Sequence, residues 1–507
     1  MNTTVSARPA SDINPQRWLS LAALCVLTGL VWLTATDISI ALPTIGQALG
    51  GSMDSLQWAV NGYFLAGSLI VLGGRLSDMK GRRKIFIIGG FLLILGSVVS
   101  GSAGSTSQLV IGRVIEGVGA AAILPSSLAI VAVQFPENER ARAIAIWIAV
   151  AWGCQGIGPL IGGGLIQAFG WQAIFWINVP LGIAAIWLVL KTTPETFNTR
   201  EGAKLDIPGA AVLTLALILL SYGLVECDSA SLPTVFLYFG GSALLFALFV
   251  SVEYRASEPL VPLSVFRRPA FMGAVSANLL ANIVFSAVIF IMALYLQVVM
   301  GYGALKAGAL LLPATLVVLV VNVLGEHLTQ RQIYRLPIAL GMVILGAGCL
   351  FLTGLGGSYA SLLPGFILVG AGIGLQITPA AELAVGSSGA GEGVASGVFK
   401  AMSMIGGSLG VAIATALFQG SALRVLNDPA NTAALAGDST NDLLDVLVGS
   451  IPTSTLSQGA LSVVDHAFDN GGNAAMFFCV AVSVIGAGLA AVLLRGAKTD
   501  SQIADSS

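Results

Sequence analysis

The chain has 507 residues, of which 56% are hydrophobic and 9% charged, with a formal net charge of −2. Soluble domains are about 25% charged, so a mean hydropathy of +0.90 excludes a soluble globular protein. Apolar runs long enough to cross about 30 Å of hydrocarbon recur along the whole length, and the chain reads as an all-α, polytopic membrane protein.

Residues 1–18 are polar, carry Arg8 and Arg17, and read as a cytoplasmic N-terminus. The apolar run behind them is too long for a signal-peptide core and lacks a small-residue cleavage site, so it is expected to remain as the first span. Helices are expected at 19–42, 56–76, 85–103, 107–133, 142–168 and 171–190, then at 207–225 and 233–252. A third set follows at 270–299, 303–324, 336–354, 360–383, 395–420 and 473–494. These fourteen transmembrane helices parse as a six-helix bundle over 19–190, two inserted helices within 191–255 and a second six-helix bundle over 256–494. A cytoplasmic tail occupies 495–507.

The distribution of charge orients this array. With the N-terminus inside, twenty of the twenty-three Lys and Arg residues fall in the termini or in connections on one side. Lys306 and Arg424 fall on the other side, and Arg113 lies within a helix. The positive-inside rule then puts both termini in the cytoplasm, with the chain in a bacterial-type cytoplasmic membrane. The outward-facing connection 421–472 holds six aspartates against one arginine. Its stretch "LLDVLVGSI" reads either as part of a solvated acidic loop or as a short amphipathic piece on the outer leaflet.

The five cysteines (Cys25, Cys154, Cys227, Cys349, Cys479) have neither metal nor redox spacing, and the two histidines stand apart from other ligands. No metal, cofactor or nucleic-acid partner is expected, and no nucleophile–base set inside the spans suggests an enzyme. A P-loop is absent, which disfavours ATP-driven transport. A sensor would want an appended soluble domain, which neither terminus supplies.

"GRLSDMKGRRK" (74–84) concentrates one carboxylate and five cations in a chain poor in charge. Gly74 and Gly81 suit a tight turn, Asp78 is placed to cap a nearby helix N-terminus, and Arg82 and Arg83 anchor the inner surface. A degraded echo, Gly325 to Arg335, lies between the tenth and eleventh helices and supports an internal repeat.

The 74–84 stretch resembles the signature loop of the major facilitator superfamily. Further stretches resemble its fourteen-span drug:proton antiporters: "ALPTIGQAL" (41–49), "LQWAVNGYFLAG" (56–67), "GRVIEGVGAA" (112–121), "GIGPLIGGGL" (156–165), "GWQAIFWINVPLGI" (170–183), "PLVPLSVFRRPAF" (259–271) and "GEGVASGVFKAMSMIGGSLGVAI" (391–413). The resemblance implies alternating access powered by a proton gradient, with 74–84 as a conformational latch and Gly158, Pro159, Gly162 and Gly163 as the antiporter seam. It implies export of hydrophobic, cationic drugs by a monomer among membrane lipids. A dedicated exporter of one metabolite or antibiotic is the alternative.

Ionisable residues inside spans are costly and default to function. Asp37 in the first helix and Arg113 and Glu116 in the fourth are the proton-coupling candidates. Arg113 and Glu116 share a helix face, and Asp37 lies at the depth of Arg113, so a pair between them fits if their helices face one cavity. Relatives usually carry the first-helix acid at the position of Thr34, one turn earlier. Tyr63, Trp152, Gln155, Asn278, Asn282, Tyr295, Gln297 and Gln376 are the candidate cavity residues, with Trp58 read more readily as an interface anchor.

Overall fold

The computed structural model describes residues 15–496, apart from 51–52, 198–205, 226–231, 257–258, 260–262, 355–357, 389–391, 432–434, 436–439, 448, 450, 452–455 and 457. Glu226, Cys227 and Asp228 lie outside the described residues. Among the described residues every regular element is helical and no strand occurs. The first eight helices are α1 (Arg17–Leu49), α2 (Met53–Gly67), α3 (Ile70–Lys80), α4 (Arg82–Gly101), α5 (Thr106–Gln134), α6 (Glu137–Phe169), α7 (Ala173–Trp176) and α8 (Asn178–Thr192). Two more, α9 (Ile207–Val225) and α10 (Leu232–Arg255), precede α11 (Pro269–Val298), α12 (Ala304–Gln330) and α13 (Arg335–Phe351). The last are α14 (Tyr359–Gly386), α15 (Glu392–Leu426), α16 (Thr440–Leu447) and α17 (Gln458–Leu493).

Among the described residues, twelve helices are long and apolar enough to span a membrane. The pair α2–α3 passes the same test only jointly, bent by 41° at its break, and α13 is a shorter apolar helix. The single helix expected at 56–76 is therefore two: the Ser68 N–H is shared between the Phe64 (2.9 Å) and Leu65 (3.2 Å) carbonyls, and the Leu69 N–H bonds Ala66 three residues back (3.3 Å) at the break. Likewise the helix expected at 171–190 divides into α7 and α8. The expected outward connection 421–472 is largely helical: α15 runs on to Leu426, and α17 starts at Gln458 and includes Asp465 and Asp469.

Local sequence explains the ends that matter. Gly50 ends α1 in the left-handed region (φ 64°), its N–H bonding the Gly46 carbonyl at 2.9 Å, a termination that glycine permits without a Cβ clash. Ser105 caps α5 by accepting from the Gln108 N–H at 3.3 Å.

Small residues set how closely the helices pack. On α4 and α5, a Cβ added at Gly89 would stand 2.8 Å from the Gly119 carbonyl, and one at Gly119 would stand 2.7 Å from that of Gly89. Two turns away Gly96 meets the Gly112 carbonyl in the same way, at 2.6 Å. About 250 residues later α13 and α14 cross on the same pattern, Gly341 against Gly372 and Gly348 against Gly365. At the expected echo, Gly325 presses on the Leu375 carbonyl of α14, whereas Gly74 packs on the Pro125 side chain of α5 and its neighbour Gly73 presses on the Ala121 carbonyl. Outward faces are apolar, as on α10, where Phe236, Leu237, Leu244 and Tyr254 are at least 70% exposed.

At the end of the molecule that carries residues 74–84, Arg17 at the start of α1 bonds Glu139 at the start of α6 through Nε (2.8 Å) and Nη2 (3.0 Å). The Arg17 hydrogen bond holds the Glu139 carboxyl below its usual range. An acid with a depressed folded-state pKa contributes stability above its unfolded pKa, lost as pH falls through the folded one. Arg17→Ala is therefore expected to flatten the loss of thermal stability on acidification below about pH 4–5, measured by unfolding in detergent across pH. Gly119→Ala is expected to cost about 1–3 kcal/mol by overpacking. Gly153→Ala, where nothing lies within 4 Å of the added Cβ, should be neutral or stabilising in the same assay.

Candidate functional site

A polar chain crosses the interior of the first eight helices. Arg113 on α5 is fully buried; its Nε donates to the Ala59 carbonyl of α2 at 2.9 Å, and its Nη1 to Glu116 Oε2 at 2.7 Å. Glu116 Oε1 accepts from Ser97 of α4 at 2.7 Å. Asn178 of α8 donates to the Ser97 hydroxyl at 3.0 Å and to Thr34 of α1 at 2.9 Å. Beneath the guanidinium lies the Tyr63 ring, 4.4 Å from Cζ, whose hydroxyl donates to the Val31 carbonyl at 2.6 Å. Five helices are thus tied through one ion pair, and each bond satisfies a group that hydrocarbon could not. Thr34 is part of it.

Asp37 stands next to this chain. It is fully buried, and neither carboxyl oxygen has a side-chain hydrogen-bond partner. The guanidinium of Arg113 is taken by Glu116, so the pair expected between Asp37 and Arg113 is replaced by one within α5, although the three groups remain within electrostatic reach.

The glycine-rich stretch of α6 explains why Asp37 is so enclosed. A Cβ at Gly162 would meet the Asp37 Cβ at 2.7 Å, and Gly158 faces the Thr36 hydroxyl. The same stretch also faces α12: Gly163 abuts the Ala304 carbonyl, the Pro159 carbonyl abuts Gly308, and the Gly156 carbonyl accepts from Thr315 at 2.7 Å. One helix therefore holds α1 on one side and α12 on the other. These contacts all lie on the part of α6 remote from the 74–84 end.

Between α1, α2, α6, α11, α14 and α15 lies a cleft in two neighbouring parts that share Asn282 and Phe285 as lining residues. The larger is lined by Trp32, Thr36, Phe64, Gln155 and Ser403 among others. The smaller is lined by Trp152, Asn278 and Gln376 among others. Of the residues expected to line a cavity, Trp152, Gln155, Asn278, Asn282 and Gln376 do so. Tyr63 sits in the polar chain instead, Tyr295 is buried against the Phe468 ring (5.7 Å), and Gln297 donates to the Ala293 carbonyl at 3.1 Å. Trp58 stacks on Tyr222 of α9.

One residue of this region escaped sequence reasoning. Lys400 is not among the connections on the cytoplasmic side. It lies inside α15, with Nζ 5.0 Å from the Trp32 ring centroid and 5.7 Å from that of Trp152. The helix expected at 395–420 already contains it, although the orientation count places it with the cytoplasmic connections, and that mismatch was the signal. None of the residues lining the cleft is acidic, which runs against the expected preference for cationic compounds.

Within 74–84 the expected loop is mostly helix, since α3 continues to Lys80 and α4 begins at Arg82. Only Gly81, at φ 107°, makes the turn, in a region where a side chain would be strained. Asp78 pairs with Arg82 at 2.8 Å rather than capping a helix. The cap comes from Glu195, which accepts from the backbone N–H groups of Arg83 (2.9 Å) and Lys84 (3.1 Å). Gly74 packs on Pro125 of α5, and the Arg83 side chain donates to the Leu190 carbonyl. Arg75 donates to the carbonyl of Pro259, ahead of α11.

Residues 21–411 match the family described as Major Facilitator Superfamily. The tetracenomycin C resistance and export protein of Streptomyces glaucescens is 32% identical over 419 residues, covering 81% of this chain and 77% of its own. The multidrug resistance protein Stp of Mycobacterium tuberculosis is 31% identical over 408 residues (79% and 76%). The quinolone resistance protein NorB of Staphylococcus aureus is 31% identical over 316 residues (61% and 68%). Among solved structures, an inward-facing, unoccupied bacterial homolog of the human lysosomal transporter Spinster aligns with a TM-score of 0.65 at 17% identity, over 95% of this chain and 98% of that one.

The buried pair has an energetic signature. Glu116→Ala leaves a buried, unpaired guanidinium and is expected to cost about 3–5 kcal/mol, whereas the double replacement Arg113→Met with Glu116→Leu should cost much less. Thermal unfolding of the purified variants in detergent reads the difference.

Proposed function

As a member of the Major Facilitator Superfamily, the chain is a multi-pass membrane transporter rather than an enzyme, and we propose that it is a proton-coupled antiporter exporting hydrophobic drug-like compounds by alternating access. The observation that carries this reading is Asp37, a buried carboxyl without a side-chain partner, one residue from cleft-lining Thr36. An ionised carboxylate is costly to hold in such a place. A proton taken up there is released when the enclosing seam of Gly158 and Gly162 parts from α1 and water enters. Arg113 and Glu116 act beside it as a bonded pair whose field Asp37 feels, with Arg113 Nη2 left without a hydrogen-bond partner.

Several further observations support the reading. The names of the relatives describe resistance and export. Counting the bent pair α2–α3 and the short α13 as spans brings the total to fourteen, with both termini in the cytoplasm of a bacterial cell. The recurring glycine pattern on α4–α5 and α13–α14 supports two related bundles, with α9 and α10 inserted between them. The α6 seam, held between α1 and α12, is the hinge surface on which those bundles rock. The Asp78–Arg82 pair and the Glu195 cap form the latch at the cytoplasmic end.

The reading is tested by efflux of a panel of hydrophobic dyes from proteoliposomes under an imposed pH gradient. Wild type is expected to export only with the gradient, and Asp37→Asn to fall to background while still folding. Transport that persists without a gradient rules out antiport. Normal gradient-driven efflux by Asp37→Asn would transfer the proton to Glu116, to be tested with Glu116→Gln.

A further inference from the structure

Lys400 has no part in the proton mechanism, and its position is hard to explain as packing. It lies eight residues into α15, about 12 Å along the axis from Glu392, five residues inside the apolar span that begins at Ala395, and is half-buried. Among the described residues no carboxylate pairs with it. Its neighbours are the faces of Trp32 and Trp152, and these rings belong to the two parts of the cleft. On the same face of α15, three, four and seven residues further on, Ser403, Met404 and Gly407 line the larger part. An intramembrane cation beside a cavity defaults to function, with a named partner to be sought; here the protein offers only aromatic faces.

The missing partner is an anion. We propose that Lys400 selects the cargo: the cleft takes planar aromatic compounds carrying a carboxylate or phenolate, whose acid group bonds the Lys400 ammonium while the ring lies along Trp32, Trp152 and Phe285. An acid bound at Lys400 gains a charge-assisted hydrogen bond in a site of low dielectric. The two tryptophans hold the ammonium in place by cation–π attraction when the site is empty. Asn282 and Gln155, which also line the cleft, supply amide groups for carbonyl or hydroxyl substituents. A lipophilic cation would instead face Lys400 with no lining carboxylate to offset it. This inference rests on the exporter reading but concerns binding, which needs no gradient.

Two xanthene dyes of opposite charge, anionic fluorescein and cationic rhodamine 6G, give the test. Fluorescence polarisation of each dye with purified full-length protein in detergent reads affinity. Wild type is expected to bind fluorescein about tenfold or more tightly than rhodamine 6G. Lys400→Gln should abolish that preference while keeping rhodamine 6G binding, which shows that the variant is folded. Lys400→Arg should retain the preference, and Lys400→Glu should reverse it. Unchanged fluorescein affinity in Lys400→Gln, a wild type that prefers rhodamine 6G, or a wild type that does not bind fluorescein would overturn the proposal. A charge preference that depends on Lys400, in a protein whose efflux ignores the pH gradient, would sink proton antiport and leave the anion site standing.

Discussion

A guanidinium with no access to water, set among apolar helices, must have its charge and its donors answered from within the protein. Arg113 imposes that condition on everything around it. Glu116 answers the charge, the Ala59 carbonyl takes the Nε proton, and the Tyr63 ring covers the face. Each of these groups then has needs of its own. Glu116 draws in Ser97, Ser97 draws in Asn178, and Asn178 reaches Thr34. One buried cation thus links α1, α2, α4, α5 and α8, with Nη2 alone left unbonded.

Such a chain operates only at short range, and glycine makes the range short. The crossing of α4 and α5 brings the Gly89 and Gly119 backbones face to face, and the Ser97–Glu116 bond spans the same two helices. Glycine works differently on α6. There it lets one helix lie against both α1 and α12, so that helices far apart in sequence meet with few side chains between them. Close contact without interlocking side chains is a surface that can part and re-form. The tightly bonded polar chain and the loosely keyed seam are therefore complementary: the first keeps its helices together as a body, and the second gives that body something to move against.

Much of this is legible in the sequence because hydrocarbon is a strict solvent. Apolar length marks most spans, and the rarity of buried charge is enough to single out Asp37, Arg113 and Glu116. Partners are less legible. Depth along a helix is readable at 1.5 Å per residue, but rotation about its axis is not, so equal depth matches Arg113 to Asp37 whereas the folded chain pairs it with Glu116 on its own face. Helix ends are misplaced where polar residues continue a helix, as at Lys80, Glu392 and Gln458. Lys400 is hidden differently: it lies within the helix expected at 395–420, yet a cation is counted by habit with the cytoplasmic connections. The role of Glu195 is invisible for another reason: its cap on Arg83 and Lys84 joins segments more than a hundred residues apart.

The pair α9–α10 stands apart from all of these polar ties. Leu217 of α9 meets Leu65 of α2 and Ile405 of α15 in a small aliphatic cluster flanked by Trp58, Met402 and Leu409. One helix of the pair thus leans on both sides of the molecule at once. Its contact there is built from methyl and methylene groups, which resist separation but hardly resist sliding, since dispersion has little directional preference. The arrangement has the character of a greased bearing. It can cover the join between α2 and α15 against lipid while those helices shift beneath it, so that a change of shape inside the protein need not open a gap to the bilayer.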